Sequence, residues 1–95
     1  MDSSQDHRLP PGEDLIERGI RDLEAGREST EGLLVAIGAP RLRRIGLRVP
    51  EHAIPSPEHR LYELLARADA DSAHSRYNAL IRLLVSFERA SECAT

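Results

Sequence analysis

Asp71, His74, Asn78 and Arg82 follow one another at spacings of three, four and four. On a helix such spacings line side chains along one edge. The residue types suit proton transfer on a charged substrate: an imidazole takes or gives a proton near neutral pH, and a guanidinium steadies phosphate charge. The same four residues equally suit a structural role, with Asp71 capping the helix and the others linking it to a neighbour. The structural role is the expected one, because polar networks between helices outnumber active sites.

A second cluster is purely basic. Arg41, Arg43, Arg44 and Arg48 place four guanidiniums within eight residues. Such a group can hold a phosphate, a nucleic acid or an acidic protein surface. The favoured alternative is a solvated face whose arginines form ion pairs and cap the carbonyls of the preceding helix. The region has the outline of a helix-turn-helix, with an apolar helix ending at Gly38 before a basic one. Pro40 in the turn and Gly46 soon after leave that basic helix short for a major groove. A small DNA-binding regulator therefore ranks third among the functional readings.

Other chemistries find less support. His52, His59 and His74, with Glu51, Glu58 and Asp71, offer nitrogen and oxygen donors. Yet no histidine pair stands at i,i+4, and there is neither a His-x-His motif nor a cysteine pair. No metal site and no cofactor is expected. Ser72 and Ser75 lie beside His74 without the turn that exposes a nucleophilic serine.

Arg67 and His74 are separated by six residues, and the span Arg67-Ala-Asp-Ala-Asp-Ser-Ala-His74 resembles the Arg–His motif of HEPN-type helical ribonucleases. The resemblance covers eight of 95 residues, at the long limit of that spacing and in a chain short for that fold. It implies a dimer that brings two such pairs together on RNA. Arg67, His74 and Asn78 are then the catalytic candidates, with the arginine cluster gripping phosphates.

The elements that must position these residues are constrained by size. Ninety-five residues make one domain, near the lower end of what folds around a single core. Only Tyr62, Tyr77 and Phe87 are aromatic, so Leu, Ile, Val and Ala must build the interior, which suits helix-on-helix packing. A second copy adds the buried area a small monomer lacks, and a homo-oligomer is expected. All 13 basic residues are arginine, as GC-rich, bacterial-type coding favours; arginine also pairs with carboxylates in bidentate fashion. The net charge of −3 argues against general affinity for nucleic acid or membrane surfaces. Cys93, the lone cysteine, forms no internal disulfide and fits a reducing, cytoplasmic setting. The polar start of the chain predicts no secretory leader, and no apolar run is long enough to span a membrane.

Along the chain, residues 1–12 read as a flexible arm and residues 13–95 as a single helical domain. Leu15, Ile16, Ile20 and Leu23 form an apolar helical stripe, with Gly19 on its buried side. Gly26 can end that helix, with Ser29 or Thr30 starting the next. The continued spacing through Arg27, Thr30, Leu34 and Ile37 instead favours one long helix from Glu13 to Ile37, stopped by Gly38. Pro40 and Gly46 bracket a short helix, and Ser56-Pro57-Glu58 announces another, carrying Leu61, Leu64, Leu65 and Ala68. Asp69–Ser72 is a joint. The last helix holds Ala73, Tyr77, Leu80, Ile81, Leu84 and Phe87 on one arc. Glu88 falls on the same arc, so it must meet an arginine from another helix, with Arg41, Arg44 and Arg60 as the candidates.

The expected fold is therefore all-α: an antiparallel bundle of three to four helices completed by dimerisation. The leading functional reading is a non-enzymatic protein-interaction module that contacts a protein partner through its basic loop or polar helix edge. The alternative is a HEPN-like RNA-binding or RNA-cleaving protein.

Overall fold

A computed structural model describes residues 12–94; apart from Gly12, the arm expected over residues 1–12 lies outside them. The described residues form α1 (Glu13–Glu24), α2 (Thr30–Arg44), α3 (Pro57–Ala68) and α4 (Ala73–Ala94), with no strand among them. The all-α expectation holds, with four helices.

Helix α2 is the hub, packing on α1, α3 and α4, while α3 also packs on α4. Eight of its residues are buried: Gly32, Leu33, Leu34, Val35, Ala36, Gly38, Ala39 and Leu42. A helix covered on several sides needs apolar residues nearly all round, which explains why α2 has no clean solvent face in sequence. Ile16, Leu33, Leu34, Val35, Leu42, Leu61 and Leu65 are each at most 1% exposed. Burying each contributes about 1.5–3 kcal/mol. Where α1 crosses α2 there is no room for a side chain: a Cβ on Gly19 would stand 2.3 Å from the Glu31 carbonyl oxygen.

The single long helix expected from Glu13 to Ile37 is broken into two. Arg27 N–H donates to Asp22 O (2.8 Å) and Gly26 N–H to Leu23 O (3.0 Å), with Gly26 at φ +76°. These are the paired closing bonds of a Schellman C-cap. Ser29 then opens α2 by accepting the Gly32 N–H at 3.0 Å. Arg27 and Thr30, the polar interruptions in the supposed seam, belong to this turn and the start of α2. Its spacing is an accident of two helices laid end to end in sequence.

Two further expectations reverse. Gly38 does not stop a helix, and Pro40 does not start one; α2 runs through both to Arg44. Gly38 stands where α4 comes close: a Cβ would lie 2.9 Å from Leu84 Cδ1. Pro40 has no N–H to offer Ala36, but it sits on the exposed side of the helix. The true stop is Gly46, at φ +104°, where Gly46 N–H meets Arg43 O and Leu47 N–H meets Leu42 O. This second Schellman cap has apolar residues at the customary positions: Leu42 in the core cluster, and Leu47 packed against that cluster.

The two expected caps also fail. Ser56 precedes α3 at φ +48° and makes no side-chain cap bond, although Pro57 does occupy the first turn. Asp71 is not the residue before α4: Ser72 is, and its carbonyl accepts the Arg76 N–H, while Asp71 N–H donates to Asp69 Oδ1 at 3.2 Å within the joint.

Candidate functional site

The most constructed feature is a groove between α2 and α4. Ile37, Gly38, Pro40, Arg41 and Arg44 line one wall; Ile81, Leu84, Val85 and Glu88 line the other. Its volume is about 340 Å³. The close approach at Gly38 draws α4 in and sets Glu88 against α2. Glu88 is the buried charge of the core, 4% exposed, and Arg41 reaches it from α2 with Nη1 to Oε1 at 3.6 Å. Burial pushes the Glu88 carboxyl above the ordinary carboxylate range, and the Glu92 charge adds to this; Arg41 opposes both. Desolvation therefore outweighs the ion pair. Arg41, one of the three arginines named for Glu88 from sequence, is the one that meets it.

The arginine cluster is divided. Arg41 and Arg44 rim the groove. Arg43 points elsewhere and clamps the following loop, donating to Val49 O at 3.2 Å and Pro50 O at 2.9 Å. It caps carbonyls, but those of the next loop rather than of the preceding helix. Arg48 is exposed within that loop. The four guanidiniums do not converge on a single anion site.

The second cluster is reduced to a pair. Asn78 Nδ2 lies 3.2 Å from His74 Nε2 at the edge of α4, and the exposed Arg82 follows one turn on. Asp71 sits in the joint before the helix begins, so it does not share their register. The Tyr62 ring stands between the helices, 6.4 Å from the His74 ring and 5.7 Å from Tyr77. Burial, and then the charge of Glu58, raise the Tyr77 hydroxyl above its ordinary range.

Arg67 lies elsewhere. It shares a cleft with Glu28, Leu33, Arg60, Glu63 and Leu64. Tyr62, the α3 residue beside His74, and Arg67 are about 140° apart around the helix. Within one chain, Arg67 and His74 thus open on different flanks of α3.

Sequence reasoning missed two polar anchors. Arg60 binds Glu28 through Nη2 at 2.6 Å and Nε at 2.9 Å, tying α3 to the α1–α2 turn. Asp22 gathers Arg27 and the Ser29 hydroxyl, and chiefly that hydroxyl holds its carboxyl below the ordinary range. The available signal was Asp22 to Ser29, a carboxylate and a hydroxyl bracketing Gly26. The groove itself was missed because Gly38 was taken for a helix stop.

Among the described residues no three His, Cys, Asp or Glu side chains gather as metal ligands, and no helix is long and apolar enough to cross a membrane. Comparison with known proteins found no matching family model, no similar curated protein and no similar solved structure.

Proposed function

We propose that this chain is a helical interaction module, acting as a homodimer in a reducing cytoplasmic setting and using that dimer to contact a protein partner. One observation carries the reading: the α2–α4 groove is open, floored by Ile37, Ile81, Leu84 and Val85, and holds a single buried carboxylate already met by Arg41. That composition suits recognition by packing. It lacks a paired nucleophile and base, the minimum for covalent turnover. Dimerisation completes the helical bundle, and the exposed Arg44, Arg48 and Arg82 remain to face an acidic partner surface. The HEPN-like reading needs Arg67 and His74 on one cleft, and their separation within the chain does not favour it.

The test combines sedimentation of the parent protein with an RNA-cleavage assay on the parent and on His74→Ala. A dimer with no cleavage by either protein is the expected result. Cleavage that disappears in His74→Ala replaces this reading with the ribonuclease. A monomer at micromolar concentration removes the dimer.

A further inference from the structure

Helix α4 carries two seams side by side. Ala73, Tyr77, Leu80, Leu84, Phe87 and Ser91 step by four and three in alternation, and all are buried or half-buried in the bundle. One residue further on, His74, Asn78, Ile81, Val85, Glu88 and Glu92 repeat the same steps. An alternating four–three pattern is the signature of a helix that meets another helix. The first seam is satisfied inside the chain. The second runs along the mouth of the α2–α4 groove: Ile81, Val85 and Glu88 line it, while His74 and Glu92 stand exposed at its two ends.

We propose that a second copy of this chain covers the second seam, with α4 lying antiparallel on α4 about a two-fold axis at the level of residue 83. This deepens the homodimer reading above and rests on it. The order of side chains selects the arrangement. In this register Ile81 faces Val85 of the second copy, twice over, at the centre. His74 faces Glu92, a donor against a carboxylate, while Asn78 covers Glu88, whose carboxyl is turned toward Gly38 and Arg41. A parallel pair would stack Glu88 on Glu88 and Glu92 on Glu92, with like charges opposed. Sliding the antiparallel pair by one heptad in one direction sets Ile81 and Val85 against Glu92 and Glu88. Sliding it in the other sets them against Asn78 and His74. Only the central register joins apolar to apolar at the centre and His74 to Glu92 at both ends.

Glu88 makes the covering possible rather than preventing it. Arg41 already stands at its oxygen, so closing the groove does not strand a lone carboxylate. The seam from His74 to Glu92 runs about 27 Å.

Cross-linking reads the register directly. Ile81→Cys and Val85→Cys are made separately in a Cys93→Ser background, mixed, refolded together and oxidised gently. The antiparallel register places residue 81 opposite 85, while 81–81 and 85–85 pairs stand about 6 Å further apart along the axis, beyond good disulfide geometry. The 81–85 link should exceed either self-link by about tenfold. A dimeric parent whose variants form self-links, or no link, overturns this face and register while the homodimer reading stands. A parent that sediments as a monomer overturns both. A charge swap at exposed positions guards against damage from the cysteines. His74→Glu should weaken dimerisation by about tenfold, summed over two symmetric pairs, and adding Glu92→Arg should restore it. Absence of that rescue in a folded, dimeric protein counts against the register.

Discussion

Two helical glycines face different obstacles, and alanine at each should give opposite results. At Gly19 the obstacle is main chain: a Cβ would stand 2.3 Å from the Glu31 carbonyl oxygen, 2.8 Å from its carbon and 2.5 Å from Val35 Cγ2. Ordinary contact begins near 3.4 Å, so α1 and α2 must part by about 1 Å along their crossing, because a helical carbonyl cannot rotate away. Overpacking of this kind costs roughly 1–3 kcal/mol, and a main-chain wall places it near the upper figure. Alanine returns about 1 kcal/mol of helix propensity. Gly19→Ala should therefore lose about 2 kcal/mol, a Tm drop of roughly 8–16 °C for a domain of this size. At Gly38 the nearest atoms are side-chain ends, Leu84 Cδ1 at 2.9 Å with Glu88 Oε2 and Leu84 Cδ2 at 3.1 Å. A few tenths of an ångström of rotation relieve them, and the propensity gain offsets the strain. Gly38→Ala should stay within about 0.5 kcal/mol of the parent. Urea unfolding followed by far-ultraviolet circular dichroism, at fixed protein concentration, measures both. Gly19→Ala as stable as the parent, or Gly38→Ala as damaged as Gly19→Ala, would refute the distinction between main-chain and side-chain obstacles.

Four further expectations follow from the polar contacts. Ser29→Ala removes the α2 cap and should cost about 1 kcal/mol. Asp22, held below its ordinary range chiefly by the Ser29 hydroxyl, contributes stability above its unfolded pKa that is lost as pH falls through its folded value; Asp22→Asn should flatten that acid limb of the stability–pH curve. Glu88 has the opposite sign. Its raised carboxyl stabilises the fold fully below the unfolded pKa, and that contribution is lost as pH rises through the folded value. Glu88→Gln should match or exceed the parent at neutral pH, by about 0–2 kcal/mol, and an advantage of the parent that grows with pH would contradict this. Arg43→Ala frees the carbonyls of Val49 and Pro50, and amide exchange in the loop between α2 and α3 should quicken by about fivefold, the equivalent of ~1 kcal/mol of lost hydrogen bonding.

The legible parts of this fold are those decided within a few turns of chain. The stripe of Ile16 with Leu15, Ile20 and Leu23, the start of α3 at Pro57 and the arc of α4 each follow from local period and local capping chemistry. The demand that Glu88 meet an arginine was also readable, because its place among Tyr77, Leu84 and Phe87 is a matter of helical angle alone. Arg41 was not singled out from Arg44 and Arg60, since that choice depends on how α2 lies against α4. The failed caps at Ser56 and Asp71 have different origins. A side chain that suits capping does so only if the backbone before the helix is extended, and Ser56 at φ +48° is not. At the joint, Asp71 lies one residue too early: Ser72 directly precedes Ala73, the first residue of α4, and its carbonyl takes the Arg76 N–H.

Glycine is where the sequence is most ambiguous, and the candidate site turns on that ambiguity. Gly26 and Gly46 have left-handed backbones and end helices; Gly19 and Gly38 are helical and lie where another helix passes close. One letter encodes both, because lacking a Cβ relieves a backbone clash and a packing clash alike. Local context separates them only partly. Gly46 is followed by an apolar Leu47 that completes its cap, whereas Gly38 is followed by Ala39 and by Pro40, which signals a new helix as strongly as an old one in progress. The deciding neighbours, Leu84 and Glu88, lie far along the chain. Reading Gly38 as a stop split α2 and hid the wall that Ile37, Pro40, Arg41 and Arg44 make together. Without that wall the arginines looked like a basic run beside a loop. With it, two of them frame a groove that holds a buried carboxylate.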